Sequence, residues 1–275
     1  MWRLSGFGDE IDADLDEQAR VLGQLGIRYL DLRGVWGTNV VRLSDEEVER
    51  VRRTLAAAGV GVSAIASPVG KSRIDDDFGP HLDDFRRALD VAHRLESPFV
   101  RIFSFYLPQG EDPARHREAV IDRLGQLVRI ADGSGVTLVH ENEKGIYGDT
   151  PARCHDLLAA VDSPFLRAVW DPANFVQCGA RPHDDGYELL RPFIAYVHVK
   201  DAVAGTDRIV VAGEGDGQIG QTLAALAASG FDGFLSLEPH LSLAGPSAGF
   251  SGPDLFGQAT EALKGLLREQ QIAWA

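Results

Sequence analysis

Short apolar runs alternate with amphipathic stretches along the whole chain. The run RLSGFGD (3–9) predicts a first strand, and the stretch around 14–25 a helix. IRYLDLR (27–33) predicts a second strand. LSDEEVERVRRTLAAAG (43–59) predicts a helix with Ser44 as N-cap, Glu47 three residues on, and Gly59 as its stop. VGVSAIAS (60–67) and FVRIFSF (99–105) predict strands three and four, with a helix over 79–95 between them. A long helix is expected over 113–133, then a fifth strand at VTLVHE (136–141). Thr150-Pro151 opens another helix, with proline in a first-turn position. LRAVWD (166–171), IAYVHVK (194–200) and GFLSLE (233–238) complete the strands.

Strict strand–helix alternation implies parallel strands. A strand every 34 residues or so, eight in all, has the proportions of a single closed (β/α)8 barrel spanning 1–275. An open doubly wound sheet is the alternative, but no GxGxxG follows the first strand. No linker or low-complexity segment divides the chain. The loop LSLAGPSAGFSGPD (241–254) is rich in Gly, Ser and Pro, and reads either as a mobile lid or as a slack connection.

Barrel sites form at the C-terminal ends of the strands. Here strands five to eight end in Glu141, Asp171, His198 and Glu238. Neighbouring strands lie about 4.8 Å apart, so these side chains converge on one side of the mouth. Alternation of faces places His140 outward when Glu141 points inward. By the same parity Glu143, Lys200 and His240 lie two residues beyond candidate ligands and join the site as secondary members. Three packed carboxylates raise one another's pKa, and a divalent cation relieves that repulsion. Three oxygen donors with one imidazole suit Mn²⁺ first, with Mg²⁺, Co²⁺ or Zn²⁺ as alternatives.

A formal charge of -14 excludes nucleic acid and anionic membranes as natural partners, since no basic run offsets it. Cys154 and Cys178 give no disulfide framework. With no leader and no apolar run of span length, a cytoplasmic protein is expected. A homodimer is compatible with all of this.

The motifs HENEK.IYGDT, WDPANF, HVKD, GEGDG and LEPH resemble the xylose isomerase-like barrel superfamily, which includes ketose 3-epimerases, inosose dehydratases and AP endonuclease IV enzymes. The resemblance covers essentially the whole chain and is densest over 136–240. It implies one divalent metal held by Glu141, Asp171, His198 and Glu238. It also implies that Glu141 and Glu238 double as acid and base around a metal-stabilised enediolate. The expected reaction is isomerisation or epimerisation of a non-phosphorylated sugar or polyol ketone. The chain departs from the epimerase pattern after strand six, where Asn174 stands in place of a histidine, and in Lys200-Asp201 after His198.

Lys200 is therefore expected as a further acid, base or substrate-orienting group, with a pKa lowered by the nearby cation, unless it only pairs with Asp201 or Glu238. Asn174, His240, Arg33, Glu143 and Arg208 are the expected substrate-binding residues. Arg33 has a competing reading as a core partner of Asp31. Arg101 reads as structural, Phe7 and Trp36 as an apolar wall or as core. Lys71 and Arg73 read as anion ligands or as a solvated loop. Strands three and four end without histidine, which disfavours a trinuclear zinc nuclease. The loop AGEGDGQIG (212–220) has no basic residue, which disfavours a phosphosugar. A dehydratase or lyase on the same site stays open, as does a non-catalytic sugar-binding or partner subunit.

Overall fold

Eight parallel strands close on themselves, each paired with its neighbours in sequence. They are β1 (Arg3–Phe7), β2 (Tyr29–Leu32), β3 (Gly61–Ile65) and β4 (Phe99–Ile102). β5 (Thr137–Glu141), β6 (Leu166–Trp170), β7 (Ile194–Val199) and β8 (Phe234–Leu237) follow. The computed structural model describes residues 1–244 and 249–275. The helices described are α1 (Leu15–Gln24), α2 (Asp45–Ala58), α3 (Gly79–Arg94), α4 (Arg117–Ala131) and α5 (Pro151–Val161). Two short helices, α6 (Pro172–Gln177) and α7 (Tyr187–Leu190), fill the β6–β7 connection. α8 (Ile219–Ala228) and α9 (Gly252–Glu269) complete the ring.

The expected eight-stranded barrel is present, but most strands leave the ladder one to three residues earlier than the apolar runs. Gly8 and Asp9, read as strand, begin a 3-10 turn over Gly8–Glu10, and the stretch after Ile102 bends away at the mouth. Apolar character continues past the last ladder hydrogen bond because the loops above the barrel are buried too. The helix expected over 113–133 splits into a 3-10 turn at Pro113–His116 and then α4. α2 keeps its full capping box: Glu47 N donates to Ser44 Oγ, and Ser44 N donates to Glu47 Oε2. Gly59 then ends it with φ +67°, a backbone state that suits glycine. Val48, Val51 and Leu55 form its buried stripe.

Inside the barrel, Ala64, Val139, Val169, Tyr196 and Phe234 pack into a plug, with Tyr29 and Phe99 against it. Tyr196 stacks on Phe234 at 5.6 Å, and Phe99 meets both edge-on. This plug seals the lower barrel, so chemistry is confined to the mouth. The period of two then carries each strand from plug to mouth: Val139 to Glu141, Val169 to Asp171, Tyr196 to His198.

Three small antiparallel hairpins surround the mouth: Gly34–Val35 with Thr38–Asn39, Asp201–Ala202 with Ile209–Val210, and Leu243–Ala244 with Gly249–Phe250. The 241–254 loop thus contains a hairpin, and its last residues already belong to α9. Residues 245–248, at the centre of the loop read as a lid or a slack connection, lie outside the described residues. Among the described residues no helix is long and apolar enough to cross a membrane.

Replacing the capping serine, Ser44→Ala, should cost about 1 kcal/mol. Urea unfolding should show a lower midpoint with an unchanged slope.

Candidate active site

Glu141 closes β5, while Asp171, Lys200 and Glu238 stand one residue beyond β6, β7 and β8. His198 is the penultimate residue of β7. Glu141, Asp171, His198 and Glu238 each offer one ligand atom, and these atoms lie within 4.8 Å of one another. All four side chains are buried. Glu141 Oε2, Asp171 Oδ2 and His198 Nδ1 are buried without a well-formed hydrogen bond. These atoms instead face charged neighbours: Lys200 at 2.8 Å from Asp171 Oδ2, Arg101 at 3.0 Å from Glu141 Oε2, and Glu141 Oε1 at 3.2 Å from His198 Nδ1. Three carboxylates and an imidazole fit a divalent cation, and these four can hold one.

Local structure fixes each donor. Asp171 is the N-cap of α6, where its Oδ1 accepts from Asn174 N at 2.9 Å. Asn142 clamps β5 to β6: its Nδ2 donates to Asp171 O at 2.9 Å and its Oδ1 accepts from Asp171 N at 3.0 Å. Asn174 Nδ2 donates to Asn142 O at 2.8 Å and reaches Glu141 Oε1 at 3.4 Å. His198 Nδ1 faces Glu141 Oε1 at 3.2 Å and Glu238 Oε2 at 3.5 Å. Its other nitrogen faces Asp31 at 3.9 Å, and Asp31 accepts from the Tyr196 hydroxyl at 2.7 Å.

Cations interleave with the acids. Lys200 Nζ sits 2.8 Å from Asp171 Oδ2 and 3.1 Å from Glu238 Oε2. Arg101 NH1 sits 3.0 Å from Glu141 Oε2. Arg33 spans Asp9 (2.8 Å), Glu238 (3.2 Å) and the carbonyl of Gly249 (3.0 Å). His240 Nε2 lies between Glu10 (3.0 Å) and Glu238 (3.5 Å). Phe7 is fully buried beneath them, edge-on to His198 at 5.1 Å, with Arg33 and Arg101 over its ring.

The upward shift expected for all three carboxylates therefore occurs only at Asp171. Burial raises it, Lys200 offsets part of that, and Glu141 and Glu238 add to it. Burial also acts on Glu141, but the charges of His198 and Arg101 outweigh it and hold the carboxyl below its ordinary range. Lys200 and His240 do the same for Glu238. The lowering expected for Lys200 is opposed as well. Burial acts downward, but Asp171 and Glu238 hold the ammonium well above its ordinary pKa.

Several sequence expectations meet different partners. Arg33 does not pair with Asp31, which is taken by Tyr196; it turns to Asp9 and Glu238 instead. Lys200 does not pair with Asp201. That carboxylate accepts from the backbone N–H groups of Ala202, Gly213, Gly215 and Gly217, at 2.8–3.1 Å. The glycine-rich loop thus wraps an internal acid, and its N–H groups are spent there. Glu143 pairs with Lys71 at 2.9 Å, tying the loops after β5 and β3; Lys71 also lies over the Phe103 ring. Arg73 is exposed and pairs with Asp75. Arg208 is exposed at the turn end of the 201–210 hairpin. Trp36 is half-buried under Arg50. His140 points outward and meets Ser104 Oγ, on the loop after β4, at 2.9 Å. Both cysteines are free.

Arg101, Asn142, Asp9 and Glu10 were not expected at the site. For Arg101 the signal was available: it follows Phe99 by two residues, and Phe99 faces the plug, so the parity that placed Glu141 also places Arg101 inward.

The closed barrel carries at its mouth a four-residue cluster that could hold a metal ion. The family model "Xylose isomerase-like TIM barrel" matches residues 19–266, and the chain belongs to that family. A 2-epi-5-epi-valiolone 7-phosphate 2-epimerase from an Actinoplanes species is 29% identical over 232 residues, covering 83% of this chain and 80% of that protein. A solved D-tagatose 3-epimerase-like protein superposes with TM-score 0.79 at 18% identity, covering 98% of each chain. A xylose isomerase-like TIM barrel protein from Mycobacterium smegmatis, solved in complex with magnesium, gives 0.74 at 21%, covering 98% of this chain and 95% of that one.

Burial lowers the His140 pKa to about 4, against a smaller upward pull from Glu141. The unfolded histidine titrates near 6.5, so the unfolded state binds the proton first as pH falls. His140 therefore contributes stability that is complete above about pH 6.5 and is lost towards pH 4, about 3 kcal/mol in all. Urea unfolding at pH 7 and 4.5 should show a smaller pH-linked loss for His140→Gln than for the native chain.

Proposed function

We infer that this chain is a divalent-metal-dependent isomerase or epimerase that moves a proton beside the carbonyl of a non-phosphorylated sugar or polyol ketone. The observation that carries the reading is the convergence of Glu141, Asp171, His198 and Glu238 donor atoms within 4.8 Å at the mouth of a barrel plugged from below. The epimerase among its relatives supports the isomerase or epimerase class, while its own named substrate is a phosphate.

Glu141, Asp171, His198 and Glu238 would hold the ion. When bound, it supplies a Lewis acid that stabilises negative charge developing on a carbonyl oxygen. The proton transfers belong to the protein. Glu141 and Glu238 reach the mouth from β5 and β8, with β6 and β7 between them in the barrel order. One carboxylate takes the proton from the carbon beside the carbonyl, and the other carboxyl returns one from the far side. Both are held ionised by neighbouring cations, so Glu141 starts as base and the proton returned on the Glu238 side is drawn from Lys200, 3.1 Å from that carboxylate.

Lys200 stays protonated beside them and serves as a donor to a substrate oxygen rather than as a base. Phe7 and the aromatic plug keep water from the floor of the site. Dehydration on the same residues is the second reading, and the observation favouring it is Lys200. A protonated amine beside Glu238 can hand its proton to a departing hydroxyl.

Purified protein loaded with Mn²⁺ should exchange the proton beside the carbonyl of a ketose for deuterium in D₂O, read by NMR. Glu141→Gln and Glu238→Gln should each slow that exchange by about 10²-fold or more. Absence of exchange in the loaded native protein, across ketoses and inososes, would overturn the reading.

A further inference from the structure

A cavity of about 310 Å³ lies one side chain away from the metal-type cluster. Its lining includes Asp9, Arg33, Gly34, Thr38, Asn39 and Phe250. It is joined to the cluster by one side chain: Arg33 Nε donates to Asp9, and Arg33 NH1 donates to Glu238. We propose that this cavity is a second substrate subsite, which takes the uncharged, hydroxyl-bearing end of a polyol ketone and rejects a phosphorylated one.

The charges argue for this. Arg33 is the cavity's cation, and each of its three nitrogens is already engaged. Nε serves Asp9, NH1 serves Glu238, and NH2 serves the Gly249 carbonyl, with Glu10 at 3.7 Å. Three of the five guanidinium N–H groups are engaged, so a phosphate arriving there would find at most two and would face Asp9, with Glu10 and Glu238 behind. Hydroxyl groups meet a suitable surface instead. Asp9 Oδ1 is buried without a hydrogen-bond partner, so the carboxylate has acceptor capacity left. A buried acceptor in that state gains from a donor hydroxyl and loses when none arrives.

The walls fit the same occupant. Gly34 leaves the floor open: a Cβ there would stand 3.3 Å from Asp9 Oδ2 and 3.2 Å from Thr38 O. Thr38 and Asn39, on the facing strand of the 34–39 hairpin, add short polar side chains. Phe250 closes the opposite side and is 39% exposed, unusual for a phenylalanine here. An apolar wall with a few placed polar groups is the usual make-up of a small-molecule site. The aromatic face suits the C–H face of a carbon chain whose hydroxyls turn to Asp9.

The subsite rests on the enolisation reading, so its test uses probes that separate the two. Dihydroxyacetone has no hydroxyl beyond those flanking its carbonyl and cannot fill the subsite. D-fructose can, and D-fructose 6-phosphate adds the charge. Deuterium exchange with Mn²⁺-loaded protein gives kcat/KM for each. Native protein should prefer D-fructose to its phosphate by about 10²-fold or more. Asp9→Asn should lower the ratio of D-fructose to dihydroxyacetone by about tenfold and narrow the gap to the phosphate. Phe250→Ala, which leaves the Asp9–Arg33 pair in place, should lower the same ratio by at least about threefold.

Preference for the phosphate, or unchanged ratios in both variants, would overturn the subsite. Absence of exchange on every ketone would remove the enolisation reading alone. Saturation-transfer NMR with D-mannitol then decides the subsite. Contact that Asp9→Asn and Phe250→Ala both weaken, and that inorganic phosphate does not displace, supports it. No contact with the native protein, or displacement by phosphate, overturns it.

Discussion

The structure depends on how carboxylates are neutralised at the barrel mouth. Glu10, Asp31, Glu141, Asp171 and Glu238 are almost wholly removed from water, and Asp9 is largely so. Removing one such charge from water costs several kcal/mol unless partners repay it. The chain answers with Arg33, Arg101 and Lys200, threaded between the acids so that no carboxylate meets only its own kind. At Glu141, Asp171 and His198, atoms remain buried without hydrogen bonds, and there the four donors converge. The site is thus a network of fixed charges in which four donor atoms stand close enough to share one cation.

That network also explains the scaffold around it. Asn142 and the Asp171 cap hold β5 and β6 in register at the point where their carboxylates diverge from the ladder. Asp31 backs His198 from β2, on the far side of the barrel. Glu10 and Arg33 reach up to His240, Ser251 and the Gly249 carbonyl, fastening both flanks of the loop after β8 to the strand 1 and strand 2 ends. The same side chains that balance charge therefore also close the mouth.

The fold was legible because a parallel barrel writes a repeating signal: an apolar run, a turn, then an amphipathic helix with caps such as Ser44 and Gly59. The four candidate ligands were legible because each ends an apolar run and parity aims it inward. Strand ends were less so, since apolar residues such as Phe103 and Phe105 continue past the ladder into buried loops. Partners were hardest. Arg33 was weighed against Asp31, its neighbour on one face, but its ions come from β1's turn and β8, which only closure of the barrel brings near. Asp201 next to Lys200 reads as an ion pair, yet a strand turns adjacent residues apart, and Asp201 gathers glycine N–H groups instead. Arg101 and Phe99 share a face, so the rule that found Glu141 applied there too.

The central claim is that Glu141, Asp171, His198 and Glu238 together hold one divalent ion. The direct measurement is metal content after dialysis against Mn²⁺, with the thermal midpoint read with and without the ion, for the native chain and Asp171→Asn. Asparagine keeps the helix cap while removing the ligand charge. The account predicts about one ion per chain and a raised midpoint in the native protein, both lost in the variant. Native protein that binds no stoichiometric metal, or a variant that binds it equally well, would contradict it.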